Sequence, residues 1–196
     1  MARAGFLSLD RISHRAALGG RVVDALSKLP LSGAEVRITN GPAAWKARVT
    51  ALAAGARVVD RSTTDSDGFF RYLDLPTGSY ELSARLGGTR YAPVTSTVAV
   101  GTKPAALDLA LAPTALAGVV NAQLPAGPLP MARVRFVDSG ELVYTDANGT
   151  FTLSPLEPGT NRTFEVSAQR YVTAVQTVTL LAGKTTTAPL ITLIQT

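Results

Sequence analysis

Thr64-Asp65-Ser66-Asp67-Gly68-Phe69-Phe70 recurs further along the chain as Thr145-Asp146-Ala147-Asn148-Gly149-Thr150-Phe151. Ten residues after Gly68 stands Gly78, in Leu75-Pro76-Thr77-Gly78; ten after Gly149 stands Gly159, in Leu156-Glu157-Pro158-Gly159. Between these glycines Phe70, Tyr72 and Leu75 align with Phe151, Leu153 and Leu156. Working outward, Tyr80-Glu81-Leu82-Ser83-Ala84 matches Phe164-Glu165-Val166-Ser167-Ala168. Upstream, Gly20-Arg21-Val22-Val23-Asp24 and Ala34-Glu35-Val36-Arg37-Ile38 match Gly118-Val119-Val120-Asn121 and Ala132-Arg133-Val134-Arg135-Phe136. Self-similarity over this span is a tandem duplication, with its boundary near Ala112-Pro113-Thr114.

Each copy reads as β-structure. Val36 and Ile38 alternate with Glu35 and Arg37, and Val134 and Phe136 alternate with Arg133 and Arg135. A period of two places the apolar residues on one buried face. Asp67-Gly68 and Asn148-Gly149 are the strongest hairpin signals, because both residue types tolerate the positive φ of a type I′ turn. Short strands punctuated by regular turns predict an all-β chain of two tandem seven-stranded β-sandwiches. The expected divisions are an N-terminal arm over 1–17, a first sandwich over 18–112 and a second over 113–196.

Residues 39–57 interrupt the first copy and have no counterpart in the second. Within it Ala43–Ala54 is alanine-rich, is preceded by Pro42 and ends at Gly55, which predicts a helical insert over about 43–54. Trp45, Val49 and Leu52 fall on one helical face. Trp45, the single tryptophan, reads either as a plug over an open sandwich edge or as an anchor for a partner.

Composition excludes several chemistries. Of the 196 residues 46% are hydrophobic and 17% charged, enough apolar material to bury a core. The chain contains no cysteine, which removes disulfides, thiolate nucleophiles and Cys-ligated metals. The single histidine, His14, reads as an exposed bystander, and no Gly-x-Ser-x-Gly elbow or phosphate loop occurs. Asp65, Asp67, Asp146 and Asn148 place oxygens two residues apart, but the glycines stand at the wrong positions for an EF-hand loop. These side chains read as capping their own turns. No catalytic residue, metal site or cofactor is expected.

The pattern Asp-x-Asp/Asn-Gly-x-Phe, then Leu-x-x-Gly, then an aromatic-led strand, over Asp65–Tyr80 and Asp146–Phe164, resembles the carboxypeptidase regulatory-like domain family. The resemblance covers nearly the whole chain, from about Gly20 to Leu193, twice. It implies the seven-stranded two-sheet sandwich of transthyretin (prealbumin) and the role of an accessory module beside other proteins. Arg37–Ala44 and Phe70–Pro76, with the basic N-terminal segment and the helical insert, also look like accessory proteins of phage-tail-like contractile injection systems.

Residues 1–61 carry ten Lys/Arg against four Asp/Glu, and residues 62–196 carry nine against ten. The basic residues form no block and are not interleaved with aromatics, so nucleic acid is not an expected partner. No apolar run is long enough to span a bilayer, and the N-terminal apolar stretch is broken by Ser8 and Asp10. A cytoplasmic or particle-associated location is expected. Phe6, Leu7, Leu9 and Ile12 make the arm too apolar for an inert tail, so together with Arg11 and Arg15 it is expected to order on a partner or a neighbouring copy. Arg90-Tyr91 and Arg170-Tyr171 occupy matching places in the two copies and read either as tyrosines packing on the sandwich end or as a candidate contact patch repeated in each domain. The expected function is a non-catalytic structural or decorating protein-binding module of a large assembly. A cell-surface adhesion or carbohydrate-binding module and a small-molecule carrier stay open as alternatives.

Overall fold

The computed structural model describes residues 14–52 and 60–196. The first sandwich contains β1 (Ala16–Asp24), β2 (Glu35–Asn40), helix α1 (Ala43–Leu52), β3 (Arg61–Thr63), β4 (Phe69–Leu73), β5 (Gly78–Arg85), β6 (Val94–Val100), β7 (Ala105–Ala106) and β8 (Leu109–Leu111). One sheet places β1 between β4 and the pair β7 and β8, which run in succession parallel to β1; the other has the order β3-β2-β5-β6. The second sandwich contains β9 (Ala115–Ala122), β10 (Gly127–Pro128), β11 (Arg133–Phe136), β12 (Leu142–Tyr144), β13 (Thr150–Leu153), β14 (Gly159–Ser167), β15 (Ala174–Leu180), β16 (Thr185–Thr187) and β17 (Ile191–Leu193). There β9 lies between β13 and the pair β16 and β17, with β10 also paired to it, and the facing sheet is β12-β11-β14-β15. With each interrupted last strand counted once, and the two-residue β10 set aside, both units are seven-stranded sandwiches.

Alternation builds the cores. Val36, Ile38, Leu82 and Ala84 turn inward to meet Leu18, Val22, Phe70 and Tyr72 from the facing sheet. Val134, Phe136, Phe164 and Val166 meet Leu116, Val120, Phe151 and Leu153 in the same way. The two cores are separate clusters, each closed by its own strands. Burying these faces is the main favourable term for each unit. A polar pin recurs beside each core. The buried Thr64 hydroxyl donates to the Leu31 carbonyl at 2.6 Å and accepts from the Ala34 N–H at 2.9 Å. Thr145 repeats this with Leu129 at 2.6 Å and Ala132 at 2.9 Å.

Four sequence expectations need correction in detail. The Asp-Gly and Asn-Gly turns are not type I′. Only Gly68 (φ 75°) and Gly149 (φ 69°) of these pairs have positive φ, and the Gly68 and Gly149 N–H groups donate back to Asp65 and Asp146. That is a type I turn closed by a left-handed glycine. Nor does it join two strands of one ladder, since β3 and β4 lie in opposite sheets, as do β12 and β13. Glycine is required twice over here, because a Cβ would lie 2.6 Å from the Val22 carbonyl oxygen at Gly68 and 2.4 Å from that of Val120 at Gly149.

The alignment of Tyr80–Ala84 with Phe164–Ala168 is shifted by two residues. Ile38 pairs with Leu82 while its counterpart Phe136 pairs with Phe164, so Leu82 corresponds to Phe164 and Tyr80 to Arg162. The Tyr80 hydroxyl donates to the Pro76 carbonyl at 2.7 Å, and Arg162 donates to the Glu157 carbonyl at 2.6 Å. An irregularity between Gly159 and Arg162 absorbs the difference. A two-residue slip keeps every side chain on its face, so alternation cannot detect it.

The first sandwich starts earlier than residue 18. Strand β1 begins at Ala16, and Ala17 is buried. His14 is not a bystander: its Nδ1 pairs with the Asp74 carboxylate, which also accepts the Arg15 N–H at 2.8 Å. The insert is helical over Ala43–Leu52, with the Lys46 N–H closing its first turn on the Pro42 carbonyl. Trp45 and Val49 are half-buried along one side. The side chain of Leu52, and Gly55 with the rest of the expected insert, lie outside the described residues. Among the described residues no helix is long and apolar enough to cross a membrane.

Candidate interaction site

Strand β8 ends at Leu111 and β9 begins at Ala115, so only Ala112, Pro113 and Thr114 connect the sandwiches. Pro113 and Thr114 are buried. Tyr91 bridges to Pro113, the Ala92 N–H donates to the Ala112 carbonyl at 3.0 Å, and the Thr114 N–H donates to the Arg90 carbonyl at 2.7 Å. From the other side, the Leu156 N–H donates to the Thr114 carbonyl at 2.9 Å, and the Gly183 N–H donates to the Thr114 hydroxyl at 2.9 Å. The linker is therefore a strand held by both domains. Few backbone dihedrals remain free for relative motion.

Side chains reinforce it. Arg90 pairs through Nε with Glu157 at 2.8 Å and through Nη2 with Glu141 at 3.1 Å, and its Nη1 donates to the Pro155 carbonyl at 3.2 Å. The Thr89 hydroxyl donates to the other Glu157 oxygen. One guanidinium from the first sandwich thus collects two carboxylates and a carbonyl of the second, the planar fork geometry that arginine supplies. The Thr89 hydroxyl and then Arg90 hold the Glu157 carboxyl below its ordinary range. Burial alone raises Glu141, but hydrogen bonds from Ser139 and the backbone, together with Arg90 and Arg162, outweigh it and leave it lowered. At Gly183, with φ 65°, a Cβ would stand 2.2 Å from that of Ala92. The turn of the second domain therefore lies in direct contact with the first.

The sequence-derived candidates scatter. Phe6, Leu7, Leu9, Arg11 and Ile12 lie outside the described residues. Arg15 is exposed, and its guanidinium donates to the Thr102 and Gly101 carbonyls, tying the start of β1 to the loop after β6. Trp45 stands edge-on to Tyr80 with ring centroids 6.1 Å apart, packed on the first core. Arg90 is turned into the junction. Tyr91 is half-buried against the first core, and its hydroxyl donates to the buried Asp24 carboxylate at 2.9 Å. Burial and then Asp24 push the Tyr91 hydroxyl up to about 12. Arg170 is exposed, and Tyr171 packs on the second core and bridges to Gln195. The two Arg–Tyr pairs therefore lie at equivalent ends of their two domains, each beside its own outgoing strand.

Sequence reasoning missed Glu141, Glu157, Thr114 and Gly183. Their signal is faint, because each lies in a loop outside the alternating strands. The acidic turns, by contrast, are as read. The Asp65 carboxylate accepts from the Asp67 and Phe69 N–H groups, and that of Asp146 from the Asn148 and Thr150 N–H groups and the Thr150 hydroxyl. These bonds hold the Asp146 carboxyl below its usual range, the Thr150 hydroxyl contributing most.

A family profile described as carboxypeptidase regulatory-like domain matches residues 17–112 and again 115–193. The chain belongs to the carboxypeptidase regulatory-like domain family. Its two family units meet at the linker just described, between Ala112 and Ala115. Among curated proteins none matches the chain. Among solved structures, the Bacillus anthracis TIE protein is similar to it at 17% identity and a TM-score of 0.41, over 92% of this chain and 34% of that one. The chain thus spans about a third of that protein's length. The shaft pilin SpaA from Lactobacillus rhamnosus GG is similar at 13% identity and a TM-score of 0.41, over 94% and 98%. A streptococcal ancillary pilin is similar at 15% identity and a TM-score of 0.38, over 95% and 64%.

Proposed function

We propose that this chain is a stiff, two-domain, non-catalytic module that binds and spaces other proteins within a larger assembly. The observation that supports this most is the three-residue linker, buried at Pro113 and Thr114 and clamped by Arg90 on Glu141 and Glu157. A clamped linker makes two small sandwiches into one rod, which suits presenting surfaces at a fixed separation. At the junction the polar side chains of Thr89, Arg90 and Glu157 are engaged with one another, an arrangement that serves shape more than reaction. Family membership alone assigns no chemistry.

The finer reading is an accessory component of a phage-tail-like contractile injection particle, cytoplasmic or particle-associated. Its support is the resemblance over Arg37–Ala44 and Phe70–Pro76. The N-terminal segment would supply attachment. Because His14 to Ala17 belong to the first sandwich, the segment to remove is 1–13. The chain without 1–13 should keep its circular dichroism and melting behaviour and fail to co-sediment with native particles. Undiminished co-sedimentation discards the arm, and turnover of any substrate discards the non-catalytic reading.

A further inference from the structure

Each sandwich has two ends that matter for docking. One, the arginine end, carries the Arg–Tyr pair and the outgoing strand; the other, the acceptor end, carries the loop before the glycine of β5 or β14. The junction joins the arginine end of the first sandwich to the acceptor end of the second. Two ends remain.

The acceptor end of the first sandwich is already covered. Pro155 corresponds to Asp74, and Arg48 of α1 donates to the Asp74 carbonyl at 2.9 Å, as Arg90 does to the Pro155 carbonyl at 3.2 Å. Helix α1 thus sits on its own domain where a preceding sandwich sits on the second.

The arginine end of the second sandwich repeats the backbone bonds that tie the first sandwich's Arg90–Ala92 loop to its outgoing strand. The Thr196 N–H donates to the Arg170 carbonyl at 2.9 Å, as Thr114 does to Arg90 at 2.7 Å. The Val172 N–H donates to Ile194 at 2.8 Å, as Ala92 does to Ala112 at 3.0 Å. Tyr171 bridges to Gln195 as Tyr91 bridges to Pro113. Even the threonine is repeated, although Thr114 is buried and Thr196 exposed. Arg170 is exposed, in a loop two residues shorter than that before Arg90, and has φ 68°. Beside it Val172 is 52% and Ile194 56% exposed, where Ala92 and Ala112 are half-buried against the Gly183 turn.

We infer that this end, centred on Arg170, Val172 and Ile194, docks the acceptor end of a further family sandwich. The partner carries carboxylates at the places of Glu141 and Glu157 and a small residue at that of Gly183. Charge selects the partner, since a guanidinium needs a carboxylate opposite it. A second copy of this chain does not fit. Its own second-domain acceptor is filled, its first-domain acceptor is covered by α1, and two arginine ends repel. The inference rests on the binding-module reading, but its test does not involve the N-terminal segment.

The probe is the acceptor end of this protein itself. A second copy of residues 113–196 is attached behind Thr196 of the full chain through a flexible Gly/Ser linker of about 20 residues, which keeps the local concentration in the millimolar range. Amide shifts of the attached copy report that it is folded. Nuclear spin relaxation should then show it tumbling with the rest of the chain, with shift changes at Tyr171, Val172 and Ile194. Arg170→Glu should abolish this, and Glu157→Arg in the attached copy should restore it in the Arg170→Glu background. A folded attached copy that tumbles independently, or shift changes at another surface, overturns the inference.

Discussion

Arg90 and Glu157 stand 67 residues apart in sequence and 2.8 Å apart in space, and they belong to different domains. Around them the linker is buried at Pro113 and Thr114 and hydrogen-bonded on both sides. The pair is partly exposed, so as a contribution to folding it is small. Its consequence is orientation: with it in place one domain cannot rotate against the other without breaking contacts to Glu141 and Pro155 as well.

Arg90→Ala should therefore loosen the rod without unfolding it. Residual dipolar couplings fitted to one alignment tensor in the parent should need two in the variant. Each domain should melt within a few degrees of the parent, as expected for loss of surface ion pairs. Combining Arg90→Ala with Glu157→Ala should add little to the single change, because the two side chains act together. Full additivity would show that the clamp is not a unit.

Acid should have the same effect as Arg90→Ala. Glu157 is lowered by the Thr89 hydroxyl and Arg90; Glu141 is lowered despite burial by Ser139, the backbone and Arg90. A carboxyl lowered in the docked state favours docking above its ordinary pKa of about 4.3, and the advantage disappears as pH falls through the lowered value. Interdomain order should hold from neutral pH to about 5 and decline below about 4. A transition near pH 6 would require a different titrating group.

The fold was legible because its determinants are local. Alternation around Val36 and Val134 and the glycines at 68 and 149 fix the strands and corners wherever the domain sits. Two things were not legible. The two-residue slip of β14 preserves inward and outward faces, so the hydrophobic pattern of Phe164 and Val166 fits either register. The junction depends on loop charges far apart in sequence, and nothing in the local surroundings of Glu157 marks it as the partner of Arg90. The matching places of Arg90-Tyr91 and Arg170-Tyr171, and the identity of Thr114 and Thr196, are the readable traces of the interface.

Gly183→Ala should separate the domains by steric means. The substitution adds a Cβ 2.2 Å from that of Ala92, at φ 65°. The left-handed backbone alone costs about 1–2 kcal/mol for a non-glycine residue. Gly140→Ala is the control, since its φ is 79° but a Cβ there meets nothing within 4 Å. Both variants should lower the second domain's melting temperature. Only Gly183→Ala should increase the maximum dimension measured by small-angle X-ray scattering.

The repeated threonines allow each sandwich to be weakened alone. Thr64→Val leaves the Ala34 N–H and Leu31 carbonyl without their hydroxyl partner, and Thr145→Val does the same to Ala132 and Leu129. Each buried loss should destabilise its own domain by about 1–3 kcal/mol. Hydrogen exchange should show faster opening in the substituted domain, with the other core unchanged, since the cores share no residue. Equal acceleration in both would mean that the rod unfolds as one unit.

Trp45 distinguishes a plug from an anchor. It is half-buried, meets Tyr80 edge-on at 6.1 Å and an interplanar angle of 82°, and packs on the first core. A half-buried large side chain contributes about 1–2 kcal/mol by area, and the aromatic contact about 0.5–1.5 kcal/mol more. Trp45→Ala should destabilise the first sandwich by a sum of that order, and Trp45→Phe should recover more than half of it. The loss should fall on the first domain only, because α1 touches its acceptor end through Arg48 and Asp74. Urea unfolding followed by far-ultraviolet circular dichroism measures this without the tryptophan signal. If Trp45→Ala leaves the midpoint unchanged, the indole is not holding the sandwich closed, and its exposed edge would then have to act on a partner.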